Sequence, residues 1–334
     1  MQQYSFDRPL PETLPPPPGG LLLGALDGGD PAAIAAADHA ARHWQWPQPG
    51  PLAPGSAAHR QAAAAMFRET FNPYKPSIIA WPHLSPDARD RLTGLPIWDI
   101  AVQTEGKARL RMLAYAQAQP DPDWRAAIEQ NGWEEWRHKQ VLSDLVAAYG
   151  IALAPEPPYP PPRDTEWAYL VTGFSECIDS FFAFGLFELA KRSGYFPAEL
   201  VDTFEPVIQE ETRHILLFAN WLAAHRARLP LHRRVWFEMR VAAVWAFLIW
   251  ERIGIARGMD DGKPAAKQDN SFTLTGSAAV SDADVSPGEL MAICLAENTR
   301  RFAGYDARLR RPTTTPALAR LALRFLRRRA PRPA

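Results

Sequence analysis

The chain has 334 residues, and 47% of them are hydrophobic, which is ample for a sizeable core in one or two domains. Its 37 basic and 37 acidic residues cancel, so no global field attracts nucleic acid or an anionic membrane. Two cysteines cannot form a disulfide framework, and the N-terminal residues lack the basic-then-apolar order of a signal peptide. We therefore expect a cytoplasmic protein without a nucleic-acid partner or a transmembrane segment.

Proline is concentrated in residues 1–55 and in Pro155–Pro162. Proline disrupts helix interiors, so neither stretch is expected to be helical. The first stretch predicts an extended arm leading into a short helix near Ala57–Phe71. We assign residues 1–95 to this Pro-rich N-terminal arm.

Four long helices are predicted after the arm, because apolar residues recur there at spacings of three and four. The first begins near Ile97. The second begins after Asp121, with Pro122 at the first helical position, and ends at Gly150. The third begins at Asp164 or Thr165 and ends near Arg192, and the fourth runs from Pro197 to about His225.

The connection between the second and third helices is long and rich in proline. About 14 residues of extended polyproline structure cover on the order of 40 Å, at ~3.1 Å per residue. A helix of about 20 residues is ~30 Å long, so the connection can cross the whole bundle. The sequence therefore predicts an all-α fold, a ferritin-like four-helix bundle with one long crossover.

A fifth helix is predicted near Leu231–Arg257, which completes a bundle domain at residues 96–257. Its apolar run Val241–Trp250 is about half of the ~20 residues that span a bilayer, so we expect a buried helix. Residues 258–334 are predicted to form a loop and C-terminal helices packed on the bundle. A capping-box pattern at Ser286–Glu289 begins one of these helices, which ends near Ala303, and an arginine-rich helix runs from Pro316 to about Arg329.

A five-residue motif occurs twice, as EEWRH at 134–138 and as EETRH at 210–214. A glutamate and a histidine three positions apart lie on one face of a helix and can point at one place. A single such pair usually faces solvent, but two copies in matching hairpins predict two halves of one metal site. The pairs are Glu135 with His138 and Glu211 with His214.

Glu105 and Glu176 are the predicted ligands from the first and third helices. Helical bundles that hold two metal ions through carboxylates take one further glutamate from each of these two helices. Glu105 precedes Glu135 by 30 residues and Glu176 precedes Glu211 by 35, so each pair lies at equal depth in its hairpin. Glu188 lies at a different depth. Unpaired carboxylates in the apolar surroundings of Glu176 would be costly to bury.

The pattern of Glu, Glu-x-x-His, Glu, Glu-x-x-His resembles that of the soluble di-iron carboxylate proteins, which include bacterial monooxygenase hydroxylases, acyl-carrier-protein desaturases and rubrerythrins. The resemblance covers about residues 97–225 and implies two iron ions, with manganese as an alternative; the donor set suits both metals. It implies that the metal ligands and catalytic residues are Glu105, Glu135, His138, Glu176, Glu211 and His214.

The resemblance also implies supporting roles for Glu134, Arg137, Glu210 and Arg213, which would orient the histidines. This chain has Glu at the first position of both copies, where the monooxygenases tend to have Asp. Glu134 also stands four residues before His138, so it competes with Glu135 as the ligand.

The expected activity is that of a di-iron oxidoreductase, monooxygenase-like or desaturase-like, acting on O2 and a small, apolar organic substrate. Residues around Glu176 would line the substrate cavity, although aromatic residues at helical spacing are more often core. No flavin or nicotinamide motif is visible, so a separate reductase or ferredoxin is the expected electron donor, and a homodimer is compatible with the sequence. The proposed lining residues are Thr172, Phe181, Phe182, Phe184 and Phe187.

Two other functions remain open. One is iron oxidation or peroxide scavenging of the ferritin or rubrerythrin kind, although the chain lacks the paired Cys-x-x-Cys of a rubredoxin domain and extends well beyond the fourth helix. The other is a non-enzymatic scaffold, which the six ligand types argue against. The arginine-rich C-terminal helix would either contact a membrane surface or an acidic redox partner, or dock through its leucines.

Overall fold

The structure is a computed structural model that describes residues 31–72, 79–260 and 285–329. Within these ranges it contains eleven helices and no strand, which confirms the all-α prediction. The helices are α1 (Pro31–His43), α2 (Ala57–Glu69), α3 (Pro86–Thr93), α4 (Trp98–Ala118), α5 (Pro122–Tyr149), α6 (Thr165–Ser193), α7 (Ala198–Asp202), α8 (Glu205–Arg228), α9 (Leu231–Asp260), α10 (Pro287–Arg301) and α11 (Thr314–Arg329).

Helices α4, α5, α6 and α8 pack together as a four-helix bundle. The α4–α5 pair forms one hairpin, and α6 packs against α8 in the other half. Residues 151–162 form neither helix nor strand and carry the chain from α5 to α6. The single long crossover predicted between the second and third bundle helices is therefore present.

The ends of α5 and α6 follow from local chemistry. Asp121 accepts a hydrogen bond from the Trp124 amide at 3.4 Å, and Asp164 accepts one from the Trp167 amide at 2.9 Å, so each aspartate caps a helix. Gly150 and Gly194 end the same helices at φ values of 70° and 69°, in the left-handed region that favours glycine. The predicted bounds of both helices are confirmed.

The fourth predicted helix is wrong in one respect, because it is divided into α7 and α8. Pro206 lies in the first turn of α8. Its nitrogen carries no hydrogen to donate to the carbonyl of Asp202, which a continuous helix would require. The chain therefore bends between the two helices before the motif at 210–214.

The N-terminal region is more helical than predicted. Ala57–Glu69 confirms the short helix, which Ser56 caps by accepting from the His59 amide at 3.1 Å. An extended arm is wrong for Pro31–His43, which begins with proline and continues with alanines that favour a helix. Helix α3 was not predicted either. The arm predicted for residues 1–30 lies outside the described residues.

Helix α2 packs against both α5 and α8, the two helices that carry the repeated motif. Its buried face includes Met66 and Phe67, each with no exposed surface. The N-terminal region therefore contributes directly to the half of the bundle where the motifs lie.

Helix α9 is only partly buried, and the expectation of a buried helix is wrong for most of its surface. Phe237, Val241, Val244 and Leu248 form one buried stripe facing α6. The opposite face is open, and Trp250 retains 72% of its exposure. The run of apolar residues therefore serves two surfaces, one packed in the core and one facing outward.

Among the described helices, α6 alone has the length and apolar composition of a membrane span. In the structure, 78% of the relevant window is buried by the rest of the protein. The apolar residues of α6 therefore have partners in the protein core.

The two C-terminal helices, α10 and α11, both contact α6 of the bundle. Ser286 caps α10 by accepting from the Glu289 amide at 3.2 Å. Helix α10 approaches α6 so closely that a Cβ at Gly185 would overlap Sγ of Cys294. Helix α11 begins two residues before the predicted start. The loop predicted at 258–285 lies largely outside the described residues, although 258–260 belong to α9.

Candidate metal centre

The two copies of the motif meet in the middle of the bundle. One ligand atom each from Glu135, His138, Glu211 and His214 lies within 4.8 Å of all the others. Nδ1 of His138 is 3.2 Å from Oε1 of Glu211, and Nδ1 of His214 is 2.8 Å from Oε1 of Glu135. Each histidine therefore faces the glutamate of the opposite helix. This buried Glu/His cluster could hold a metal ion.

Glu105 and Glu176 border the same cluster from α4 and α6. Oε2 of Glu105 is 3.9 Å from Nδ1 of His138. Burial raises the pKa of Glu105, and the negative charges of Glu135 and Glu211 raise it further. Burial and the same two charges also raise the pKa of Glu176. The structure thus brings all six predicted residues together, while Glu188 lies apart in an ion pair with Arg192.

Several inward-facing atoms of the cluster lack a hydrogen-bond partner within the described part of the chain. Both carboxylate oxygens of Glu176 are buried in this condition, and Nδ1 of His138 and of His214 have no partner apart from the inner glutamates that face them. A buried polar atom without a partner is costly, and a buried carboxylate much more so. A cation bound among these atoms would supply the missing partner, so the residues fit a metal site.

The first glutamate of each motif forms a hydrogen bond with the histidine of the other motif. Oε2 of Glu134 lies 2.9 Å from Nε2 of His214, and Oε2 of Glu210 lies 2.8 Å from Nε2 of His138. A carboxylate accepts a hydrogen bond, so each imidazole donates from Nε2 and turns Nδ1 toward the centre, where it can bind a metal ion after losing its proton. Glu134 points away from the centre, so geometry favours Glu135 as the ligand.

Arginines complete the outer layer in the same crossed pattern. Nη1 of Arg213 is 3.0 Å from Glu134, and Arg137 pairs with Glu210. Burial alone would raise the pKa of Glu134, but the positive charge of Arg213 and the hydrogen bond from His214 hold it well below its usual range. Glu134 therefore stays ionised in the core.

The protonation of Glu211 and His214 likewise depends on burial acting against nearby charges and hydrogen bonds. Burial acts to raise the pKa of Glu211, but the hydrogen bond with His138 and the charge of His214 lower it overall. Burial acts to lower the pKa of His214, but Glu135 and Glu134 raise it well above its usual value. In the absence of a cation, protons thus partly balance the inner carboxylates.

The end of α2 and the residues after it hold both arginines. Arg213 donates to Oγ1 of Thr70 at 3.1 Å and to the carbonyl oxygen of Phe67. Arg137 donates to the carbonyl oxygen of Asn72 at 2.6 Å. Sequence reasoning missed these contacts, and no local pattern signals them, because the partners lie more than 60 residues apart in the chain.

Asp179 differs from its neighbour Glu176. Arg252 from α9 balances the charge of Asp179, with an Nη2–Oδ2 distance of 2.9 Å. Ser175 also donates to Asp179 at 2.8 Å. Asp179 is therefore satisfied within the protein, which leaves Glu176 as the acidic residue of α6 available for a metal.

A cavity of about 210 Å³ adjoins the cluster. Its lining includes Glu105, Glu135, Glu176 and Glu211, and most of the remaining wall is apolar. The apolar part of the wall belongs to a hydrophobic cluster to which α3 and α7 contribute. Its residues include Leu92, Leu95, Trp98, Phe196, Leu200 and Phe187.

The predicted lining residues are confirmed only in part. Thr172 and Phe187 line the cavity. Phe181 and Phe184 are each 1% exposed and pack in the core, and Phe182 packs beside Phe181. Cys177, next to Glu176 in sequence, lines a different cavity between α6, α8 and α9, and burial raises the pKa of its thiol.

No protein-family model matches the chain, and neither a curated protein nor a solved structure matches it significantly. The geometry of the cluster is therefore the basis for any assignment of function.

Proposed function

We propose that the four-helix core binds two iron ions, or manganese in their place, and uses O2 to oxidise an apolar organic substrate. We further propose that the chain is a divergent member of the ferritin-like di-iron carboxylate proteins. The observation that carries the proposal is the buried meeting of two Glu-x-x-His copies, beside two oxygens of Glu176 that have no hydrogen-bond partner among the described residues. A doubled set of such ligands matches a two-metal site in a helical bundle.

The ligand set fits iron better than zinc. Four carboxylates and two imidazoles are hard to borderline donors, and the two thiols lie elsewhere. We assign the ligands as Glu105, Glu135, His138, Glu176, Glu211 and His214. When bound, paired ferrous ions supply electrons for the reduction of O2.

The protein contributes geometry and exclusion of water. Glu134 and Glu210 fix the two imidazoles so that Nδ1 of each faces the centre. Ser180 donates to Oε2 of Glu211 at 3.0 Å and restrains that carboxylate. His138 and His214 have no exposed surface, so within the described part of the chain we expect access to the site from the cavity.

The cavity favours an organic substrate over iron storage. A hydrated ion entering a mineral core needs a polar path, whereas the wall beyond the inner glutamates consists mainly of apolar leucine, isoleucine, valine, alanine, phenylalanine and tryptophan side chains. A carbon chain lying among them would reach the inner carboxylates. Because no nucleotide-binding motif is visible in the sequence, we assign the supply of electrons to a separate reductase or ferredoxin.

Single-turnover oxidation tests this function. Iron-loaded protein would be reduced without air and mixed with O2 and a panel of medium-length fatty acids, alkanes and aromatic compounds. An oxygenated or desaturated product, with no more than one product per site, supports the proposal. Iron oxidation that continues over many ions and yields ferric mineral without organic product would instead support the ferritin-like alternative.

A further inference from the structure

The outward face of α9 is apolar between Val235 and Ile253. Six large side chains on it are between 46% and 72% exposed. They are Val235, Trp236, Met239, Ile249, Trp250 and Ile253. Exposed apolar residues are common singly, but a contiguous strip that includes two tryptophans marks an interaction surface.

Beyond the exposed Arg233 and Arg234 of the first turn, three charged residues beside this strip are paired within the protein. Arg252 pairs with Asp179 at 2.9 Å, and Glu238 pairs with Arg226 at 2.8 Å. Arg240 pairs with Asp164 and also lies 3.2 Å from Glu166. A helix that lies on a membrane usually borders its apolar face with free lysine or arginine. The centre of α9 lacks that border within its described side chains.

The spacing within the strip is that of a helix–helix seam. Trp236, Met239, Ala243, Ala246, Trp250 and Ile253 follow one another at alternating intervals of three and four. This is the 3.5-residue period of a coiled-coil seam. Residues of α9 that pack on the bundle occupy the opposite side, so the seam is available to a second helix.

The seam is also self-complementary. Small, exposed residues occupy its middle, and large residues occupy both ends. When α9 is reversed about a point between Val244 and Trp245, each seam residue meets one of suitable size. The resulting pairs are Trp236 with Ile253, Met239 with Trp250, and Ala243 with Ala246 of the second copy.

We propose that the chain forms a two-fold symmetric homodimer through antiparallel packing of α9 against α9 of a second copy. A two-fold axis makes residue i of one copy contact residue j of the other, and j contact i, as these pairs do. Alanines at the crossing let the two backbones approach closely. The antiparallel direction separates the exposed Arg233 and Arg234 of the two copies, which a parallel pair would bring together.

The buried area is sufficient for a stable pair. The two tryptophans of each copy bury on the order of 600 Å² in total, at ~150 Å² per ring. The aliphatic side chains of both copies bring the total to the order of 1,200 Å², the lower end of the range for specific interfaces.

Sedimentation of the full chain with a charge at the seam tests the dimer. The wild type is expected at twice the chain mass of 37.3 kDa. Ala246→Glu places a charge at the crossing and is expected to give a monomer with unchanged helical content. Ala147→Glu is the matched control, because Ala147 is an exposed alanine on α5, away from the seam, and this variant is expected to remain a dimer.

Cysteine cross-linking tests the direction of the helices. In the antiparallel dimer, Ala243 of one copy faces Ala246 of the other, so a chain with both Ala243→Cys and Ala246→Cys is expected to cross-link efficiently under mild oxidation. Either substitution alone is expected to cross-link poorly. The native Cys177 and Cys294 are buried and do not compete.

Two results would overturn the proposal. One is a wild-type chain that sediments as a monomer at every concentration, or a dimer that Ala246→Glu leaves intact. The other is a monomer that binds vesicles of phosphatidylglycerol and phosphatidylcholine and loses that binding with Ala246→Glu, which would assign the face to lipid. Neither result bears on metal binding, so the proposed function is tested separately.

Discussion

Oε2 of Glu134 on α5 lies 2.9 Å from Nε2 of His214 on α8, so the first glutamate of one motif orients the histidine of the other. Glu210 repeats this relationship with His138 in the opposite direction. The two copies of the motif therefore depend on each other, because each supplies the carboxylate that orients the histidine of the other.

Removal of that support should weaken metal binding while the ligands remain in place. In Glu134→Gln, the amide no longer provides the charge that holds Nε2–H of His214. We expect iron affinity to fall ~10–100-fold, the usual cost of losing such a partner. Competition with a ferrous chelator measures the change, and Glu188→Gln serves as the control on α6. Equal affinity in the two variants would contradict the role of Glu134.

Arg213 is predicted to be essential for stability. It is 2% exposed in its ion pair with Glu134, and Arg213→Ala would leave a buried carboxylate without its cation. Breaking a buried pair in this way costs about 3–5 kcal/mol. Urea unfolding of the metal-free protein measures the loss.

The matched control for Arg213→Ala is Arg192→Ala. Arg192 is 59% exposed in its pair with Glu188, and exposed pairs contribute about 0–1 kcal/mol. Similar losses in the two variants would show that the buried pair has no special importance.

Metal-free protein should lose stability as pH rises above about 4.5, the ordinary pKa of a glutamate. Glu105 and Glu176 have raised pKa values, so the folded chain retains protons that the unfolded chain has released. Stability then falls as pH increases toward the folded pKa values. The raised pKa of His214 acts in the same direction. Chemical unfolding of the metal-free protein between pH 5 and pH 8 measures this loss of stability.

Two controls separate this effect from others. Glu176→Gln removes one of the carboxyl groups with a raised pKa, so the stability of the metal-free protein should fall less steeply with pH. Bound iron should reverse this dependence of stability on pH, because a metal replaces protons on its ligands and binds more tightly at higher pH. A metal-free stability that rises steadily between pH 5 and pH 8 would contradict the protonation assigned to the inner carboxylates.

A larger side chain in the cavity wall should block substrate without disturbing metal. Ala183 lines the cavity two turns after Glu176. We expect Ala183→Phe to lower the rate of organic oxidation about tenfold or more, since a change of one or a few methylenes in an apolar pocket has effects of 10–200-fold. Iron content should remain at the wild-type level. Product formation per iron is the measurement.

Leu142→Ala is the complementary variant, because it widens the same wall. It should favour bulkier substrates than the wild type accepts. If both variants oxidise every substrate at the wild-type rate, the cavity is not the substrate site.

Local signals predicted the parts of the fold that local chemistry determines. Asp121 and Gly150 mark the ends of α5 in the sequence because a capping side chain and a left-handed glycine act within a few residues. The meeting of Glu135 with Glu211 was also predictable, since the motif is repeated at corresponding places in two hairpins.

The sequence did not predict features that depend on distant contacts. Thr70 and Asn72 show no local sign that they hold the arginines of the two motifs. The division into α7 and α8 could have been noticed at Pro206. The open face of α9 could not, because an apolar run alone does not show how many of its sides have partners.

Metal content of the purified chain tests the central claim most directly. Protein produced with iron would be analysed by mass spectrometry beside Glu135→Ala/Glu211→Ala and the control Glu188→Ala. We expect about two iron ions per chain, the number that the proposed ligand set would hold, lost in the double variant and retained in the control. Folded wild-type protein with no more than traces of iron or manganese would contradict the account.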